Sequence, residues 1–188
     1  MTTKQTAAIP QLGFLVFEKT VKKDGYISAL MVTDNRGYPL EFRATTPVRP
    51  SVVQKALYGN QLDHYVGVEL CAKPLVQQSQ RKPKVILVPD VWLLDVADEA
   101  IVNIIAVWRA GESMKLQQDE SKEVYRTIKS SVSTYKPLIY KGRFMSADQE
   151  KDSIAFVEEC HQHFDLAEAF ERIRASLALL GKEDPRYA

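Results

Sequence analysis

Residues 13–45 constrain this chain most, because three runs rich in β-branched and aromatic residues are separated by two short polar segments that contain glycine. The first run, residues 13–19 (GFLVFEK), is short and rich in Phe and Val, as a strand is. Lys23-Asp24-Gly25 then supplies a turn, since glycine accepts the positive φ that tight hairpins require. Residues 26–33 form the second strand, and Asp34-Asn35-Arg36-Gly37 is a second turn of the same chemistry. In the third, Leu40, Phe42 and Ala44 alternate with Glu41, Arg43 and Thr45, the period of two of a strand with unlike faces. Three consecutive strands joined by two short loops make an antiparallel meander.

The pattern changes at Thr46-Pro47-Val48-Arg49-Pro50, where Pro50 suits the first turn of a helix. Val52, Val53, Ala56 and Leu57 give that helix an apolar face, and Gly59 is its stop. Asn60 can cap a second helix carrying Leu62, Tyr65, Val66 and Leu70, which Gly67 and Pro74 weaken or kink. After the polar, basic loop 77–84 (QQSQRKPK), residues 85–88 are a continuous apolar run, the signature of a strand covered on both faces. Asp95, Asp98 and Glu99 make an acidic connection to a further strand at 101–108. Residues 112–135 are polar, yet Val124, Ile128 and Val132 recur every four residues, which suits a helix with one narrow apolar stripe. Residues 138–140 read as a short strand. Ser146 with Gln149, and Asp165 with Glu168, are capping patterns that open two closing helices; Ile154, Val157 and Cys160 line one, and Phe170, Ile173, Leu177 and Leu180 the other, with Gly181 after it. The fold class is therefore α/β (α+β): an N-terminal meander extended by further strands into a mixed sheet, packed with helices. One domain spans 1–188, with a flexible leader at 1–12, since no repeat or low-complexity linker divides it.

Composition supports a folded, water-exposed chain, with 45% hydrophobic and 26% charged residues among 188. No run approaches the ~18 apolar residues of a membrane span, and residues 1–10 lack the apolar segment of a secretory signal, so a cytoplasmic location is expected. Cys71 and Cys160 read as buried, free thiols. The formal net charge of +1 hides a polarity: residues 1–90 hold 12 Lys and Arg against 7 Asp and Glu, and residues 147–188 hold 5 against 10. Such a chain either presents an anionic and a basic partner with opposite ends or folds its two halves against each other.

Local chemical signatures are absent: there is no dinucleotide, P-loop, serine-hydrolase or zincin motif. Cys160, His161 and His163 point in different directions on a helix, and Cys71 and His64 offer no motif spacing, so zinc is not expected; the histidines read as surface groups. Lys19, Lys22 and Lys23 on the first hairpin, Arg36 on the second, Arg43 and Arg49 around the third strand, and Arg81, Lys82 and Lys84 on the basic loop could meet phosphates, with Tyr26, Tyr38 or Tyr58 for stacking. The turn glycine between the helices at 50–74 also suits a helix-turn-helix, although two core helices explain it as well.

In element order the chain resembles the ribonuclease-H-like layout. That resemblance implies carboxylates from the first strand, the fourth strand and a later helix converging on two divalent ions: here Glu18, Asp90 and one of Glu158, Glu159 or Asp165. Each has a structural reading too, Glu18 as a strand-edge charge, Asp90 as a turn former and Asp165 as a helix cap. With no motif, a whole core and polarised charge, the leading expectation is a non-catalytic accessory subunit with a protein partner and no cofactor. Nucleic-acid binding through the basic hairpins and loop is the second expectation, and a metal-dependent nuclease the third.

Overall fold

The computed structural model describes residues 10–20, 22, 25–98, 103–111, 126–132 and 135–187. Strands β1 (Leu12–Lys19), β2 (Tyr26–Thr33) and β3 (Pro39–Ala44) form the expected meander, with Leu12 opposite Thr33 and Lys19 opposite Tyr26. Gly37 has φ +84, and a Cβ there would lie 2.8 Å from the ring of Phe164. Gly25 is not among the positive-φ glycines, which corrects the turn argument; the residue must be small because a Cβ would stand 2.9 Å from Cγ of Arg49 and 3.0 Å from the Val48 carbonyl oxygen. Lys23 and Asp24 lie outside the described residues.

Strands β4 (Val85–Val88) and β5 (Asn103–Arg109) run parallel to β1, and β6 (Arg126–Ile128) and β7 (Leu138–Gly142) complete a seven-stranded mixed sheet in the order β3-β2-β1-β4-β5-β7-β6. All four residues of β4 are fully buried, as a strand covered on both faces requires. The helix expected over 112–135 is corrected in its described part: Arg126–Ile128 is a strand, with Ile128 fully buried, while Val124 and the rest of 112–125 lie outside the described residues. The physical reason is arithmetic, since a spacing of four is also an even number and keeps residues on one face of a strand.

Between β3 and β4 run α1 (Val52–Tyr58), α2 (Leu62–Tyr65), a π-helical turn (Val66–Ala72) and α3 (Lys73–Gln78). Ser51, not Pro50, opens α1: its Oγ accepts from Gln54 N at 3.2 Å while the Gln54 side chain accepts from Ser51 N at 2.8 Å. Asn60 makes no capping bond, and the chain crosses there in one 3₁₀ turn, Gly59–Gln61. The helix widens one turn before Pro74, which has no N–H to donate to the carbonyl of Leu70. Contrary to expectation, α1 buries none of its apolar residues: Val52, Val53 and Leu57 are 83%, 67% and 77% exposed.

Helices α4 (Ala147–His161) and α5 (Leu166–Glu183) close the described chain. Ser146 caps α4 through Gln149 N, and Asp165 caps α5 through Ala167 N, but Glu168 pairs with Arg172 at 2.9 Å instead of completing a box, and Gly181 lies inside α5 rather than after it. They cover one face of the sheet, where Phe14, Val16, Leu87 and Ile105 meet Phe156, Val157, Phe170 and Ile173. The other face packs Leu15, Leu30, Ile86 and Ala106 against Val68, Leu75 and Leu93 of the π turn, α3 and the 3₁₀ segment Val91–Asp98. Both cysteines are buried and free, and burial pushes the Cys160 thiol up to about 12. His163 is exposed, but His161 is fully buried with its ring nitrogens 3.4 Å and 3.2 Å from the carbonyl oxygens of Phe164 and Lys136, which corrects its reading as a surface group. Among the described residues no helix is long and apolar enough to cross a membrane.

Candidate functional site

In open α/β sheets, ligands bind beyond the carboxyl ends of parallel strands where neighbouring connections depart in opposite directions. Here that point lies between β1, whose chain leaves toward β2, and β4, whose chain leaves toward β5. Phe17 and Lys19 from β1, Asp90 and Trp92 beyond β4, and Asp63, His64 and Tyr65 from α2 gather there. The Phe17 ring stacks on Tyr26 with centroids 5.4 Å apart and meets Trp92 edge-on at 5.3 Å; Trp92 in turn lies 5.9 Å from His64. Gly67 makes this arrangement possible, because a Cβ at that position would collide with the Trp92 ring. Tyr58 and Tyr65 stack beside it at 4.5 Å. Tyr26 and the stem of the cluster are buried, whereas Phe17, Trp92, His64 and Tyr65 are half-buried and Tyr58 is exposed.

Charged groups frame these rings. Tyr26 Oη donates to Asp63 Oδ1 at 2.6 Å, and Lys19 Nζ stands 3.8 Å from Asp63 and 5.6 Å over the Tyr26 ring. Burial first, then the bond to Asp63, push the Tyr26 phenol up to about 12. Asp95 receives His64 Nε2 at 2.7 Å and Arg143 Nη1 at 2.6 Å. Burial alone would raise its carboxyl, but the His64 bond and the Arg143 charge hold it below the ordinary value.

The basic residues singled out from the sequence fall into two groups at opposite ends of β1. Lys22 in the first hairpin and Arg49 beside Gly25 flank the aromatic cluster, next to Lys19; the bridge between Tyr26 and Val48 fixes the Arg49 segment there. Arg36, beyond the other end of β2, and the loop of Arg81, Lys82 and Lys84 sit about 26 Å away, the length of an eight-residue strand. Arg43 lies between the groups, paired with Glu41. Tyr26 and Tyr58 belong to the first group and Tyr38 to the second. Lys23 lies outside the described residues.

Glu18, Asp90 and Asp165 all stand at the carboxyl end of the parallel strands, and Glu18 and Asp165 are each held by an arginine. Arg174 Nε donates to Glu18 at 2.6 Å, and Arg109 donates to Asp165 at 2.8 Å and to Glu171 at 3.0 Å. Glu158 and Glu159 lie in the last turns of α4. Among the described residues no group of three or more His, Cys, Asp and Glu side chains is placed to hold a metal ion. Sequence reasoning missed Phe17, Trp92, His64 and Asp95 as a cluster, because they come from three separate segments; the glycine inside an otherwise helical run at Gly67 was the one local sign of a close approach.

No family model matches the sequence, and no curated protein is similar to it by sequence. Its fold, however, is similar to that of endonuclease V from Bacillus subtilis, with a TM-score of 0.55 and 12% identity over 93% of this chain and 83% of that one. It is likewise similar to endonuclease V from Ciona intestinalis in complex with a 23-mer DNA containing an inosine followed by a ribo-adenosine, with a TM-score of 0.56 and 11% identity over 93% of this chain and 88% of that one. The expectation of a non-catalytic accessory subunit is corrected by this likeness: the two solved proteins named above, which share the fold, are endonucleases, and that expectation rests on missing local motifs, which a site assembled from distant segments does not need.

Proposed function

We propose that the protein binds nucleic acid at the carboxyl ends of β1 and β4, with unpaired bases against the aromatic cluster and phosphates against Lys19, Lys22 and Arg49. The observation that carries this reading is the set of half-exposed rings, Phe17, Trp92, His64, Tyr65 and Tyr58, beside basic side chains at the position where this class of sheet takes its ligands. Flat rings stack on any base, and each such contact contributes about 1–3 kcal/mol. Likeness of fold to an enzyme solved with DNA supports the same ligand class.

Fluorescence anisotropy with single- and double-stranded DNA and RNA over a salt series tests the reading. Single strands should bind more tightly, since only they offer free base faces. Trp92→Ala should weaken single-strand binding by about 10-fold or more, matching one lost stacking contact. Joint change of Lys22 and Arg49 to Gln should flatten the salt slope by about 0.7 per lost phosphate contact, whereas the same change at Arg81 and Lys82 should leave it unchanged. Absence of binding to any of the four nucleic acids defeats the proposal. Cleavage in magnesium or manganese, followed in the same samples with Asp90→Ala as the comparison, reports whether binding is coupled to hydrolysis.

A further inference from the structure

Among the rings gathered at the carboxyl ends of β1 and β4, His64 is the one whose hydrogen-bonding character its neighbours decide. Its Nε2 lies 2.7 Å from Asp95 Oδ2, and Arg143 Nη1 lies 2.6 Å from the other oxygen of that carboxylate. A carboxylate beside a guanidinium is ionised at neutral pH and can only accept, so the single proton of the neutral imidazole sits on Nε2. Nδ1 is left with a lone pair and no proton. Among the described residues His64 makes no second hydrogen bond, and 41% of its side chain is exposed beside Trp92, whose ring centroid is 5.9 Å away at a tilt of 49°. Asp63, the preceding residue on α2, is engaged by Tyr26 and Lys19 instead. The surface therefore holds a fixed acceptor next to a stacking ring.

What that acceptor takes from a bound strand follows from chemistry. A phosphate oxygen is itself an acceptor, so the partner of Nδ1 is an O–H or N–H. Base N–H groups change place from one base to the next, whereas stacking on Phe17 and Trp92 does not distinguish bases. The ribose 2′-hydroxyl is the donor that every nucleotide of an RNA strand repeats, and DNA lacks it. Resting on the reading of this surface as a nucleic-acid site, we propose that it takes single-stranded RNA in preference to DNA, with His64 Nδ1 accepting from a 2′-hydroxyl. His64 touches the strand. Asp95 and Arg143 are positioning residues, which act by holding the tautomer that keeps Nδ1 free of its proton.

Competition binding of the full chain with oligo(U), oligo(dU) and oligo(2′-O-methyl-U) of equal length tests this, because the three share base and charge and differ at the 2′ position. At about pH 8 oligo(U) should bind about 2- to 10-fold more tightly than either of the others, the range that one hydrogen bond gives. At about pH 5 a histidine carries its second proton, Nδ1 becomes a donor, and the ratio should fall to about one. In Asp95→Asn, Arg143 has only donors to offer and so keeps the amide oxygen, which turns the amide NH2 toward Nε2. The ring proton then moves to Nδ1, and the preference at about pH 8 should vanish with His64 still in place. His64→Ala should lose it as well, and gives the answer if the asparagine variant unfolds. Equal binding of the three strands by the unmodified protein, tighter binding of oligo(dU), or a preference that survives acid or either substitution overturns the inference while leaving the nucleic-acid surface standing. Failure of every strand to bind overturns both.

Discussion

Single residues in this protein act mainly by what they leave room for. Gly67 is the sharpest case, because the Trp92 ring occupies the space its side chain would take. Gly67→Ala should lower stability by about 1–3 kcal/mol, the usual cost of overpacking, and shift Trp92 emission as the ring is displaced; calorimetry and fluorescence check both. Tyr26 acts through its hydroxyl instead. Its phenol is raised from 10.0 to about 12 by burial and then by Asp63, so the fold favours the neutral form. The associated stability is fully present below pH 10 and is lost as pH rises through about 12. Wild type should therefore lose stability with pH across this window more steeply than Tyr26→Phe, as unfolding in denaturant at stepped alkaline pH would measure. Neither effect was legible in the sequence. Tyr26 was visible as an aromatic at a hairpin and Gly67 as a weak point in a helix, but their partners Asp63 and Trp92 are 37 and 25 positions away, and only the fold brings them near.

Elements were legible where a local rule decided them. The meander follows from the alternation along β3 and from the turn residues, and the α4 and α5 starts follow from Ser146 and Asp165, whose side chains cap the two helices although the reciprocal bonds from Gln149 and Glu168 do not form. Elements whose identity depends on a neighbour were not. Ile128 belongs to a strand because β7 lies beside it, a partner that the spacing of Val124, Ile128 and Val132 does not reveal. The apolar residues of α1 read as a core face, yet none of them is buried by the described residues. A direct comparison separates these two kinds of apolar residue. Leu57→Ser on α1 should change stability by less than about 0.5 kcal/mol, while Ile173→Ala on α5, fully buried against the sheet, should cost about 2–5 kcal/mol. Thermal unfolding of the two variants checks the contrast, and a large loss at Leu57 would mean that α1 is covered in solution.

At the scale of the whole molecule, the charge polarity of the sequence is partly spent inside the fold. Glu18 from the basic first half pairs with Arg174 of the acidic tail, and Arg109 of the middle pairs with Asp165 and Glu171. These pairs hold α5 to the carboxyl end of the sheet, beside the proposed nucleic-acid surface. A ligand at that surface binds the folded chain alone, so single-stranded DNA at about 100 times its Kd should raise stability by about 2.7 kcal/mol, and a roughly 10-fold weakening in Trp92→Ala should remove about half of that gain at the same concentration. The position of β1 has another consequence, one of timing. It is the first described strand to leave the ribosome, yet it is an interior strand, and Phe14 and Val16 on one of its faces are covered by Phe170 and Ile173 of α5. During synthesis that apolar face therefore stays open until the last described helix has emerged. A nascent chain halted before Leu166 presents the same bare sheet to chaperones and to other chains, and stalled translation, rather than any weakness of the finished fold, is the point at which this protein is most exposed to aggregation.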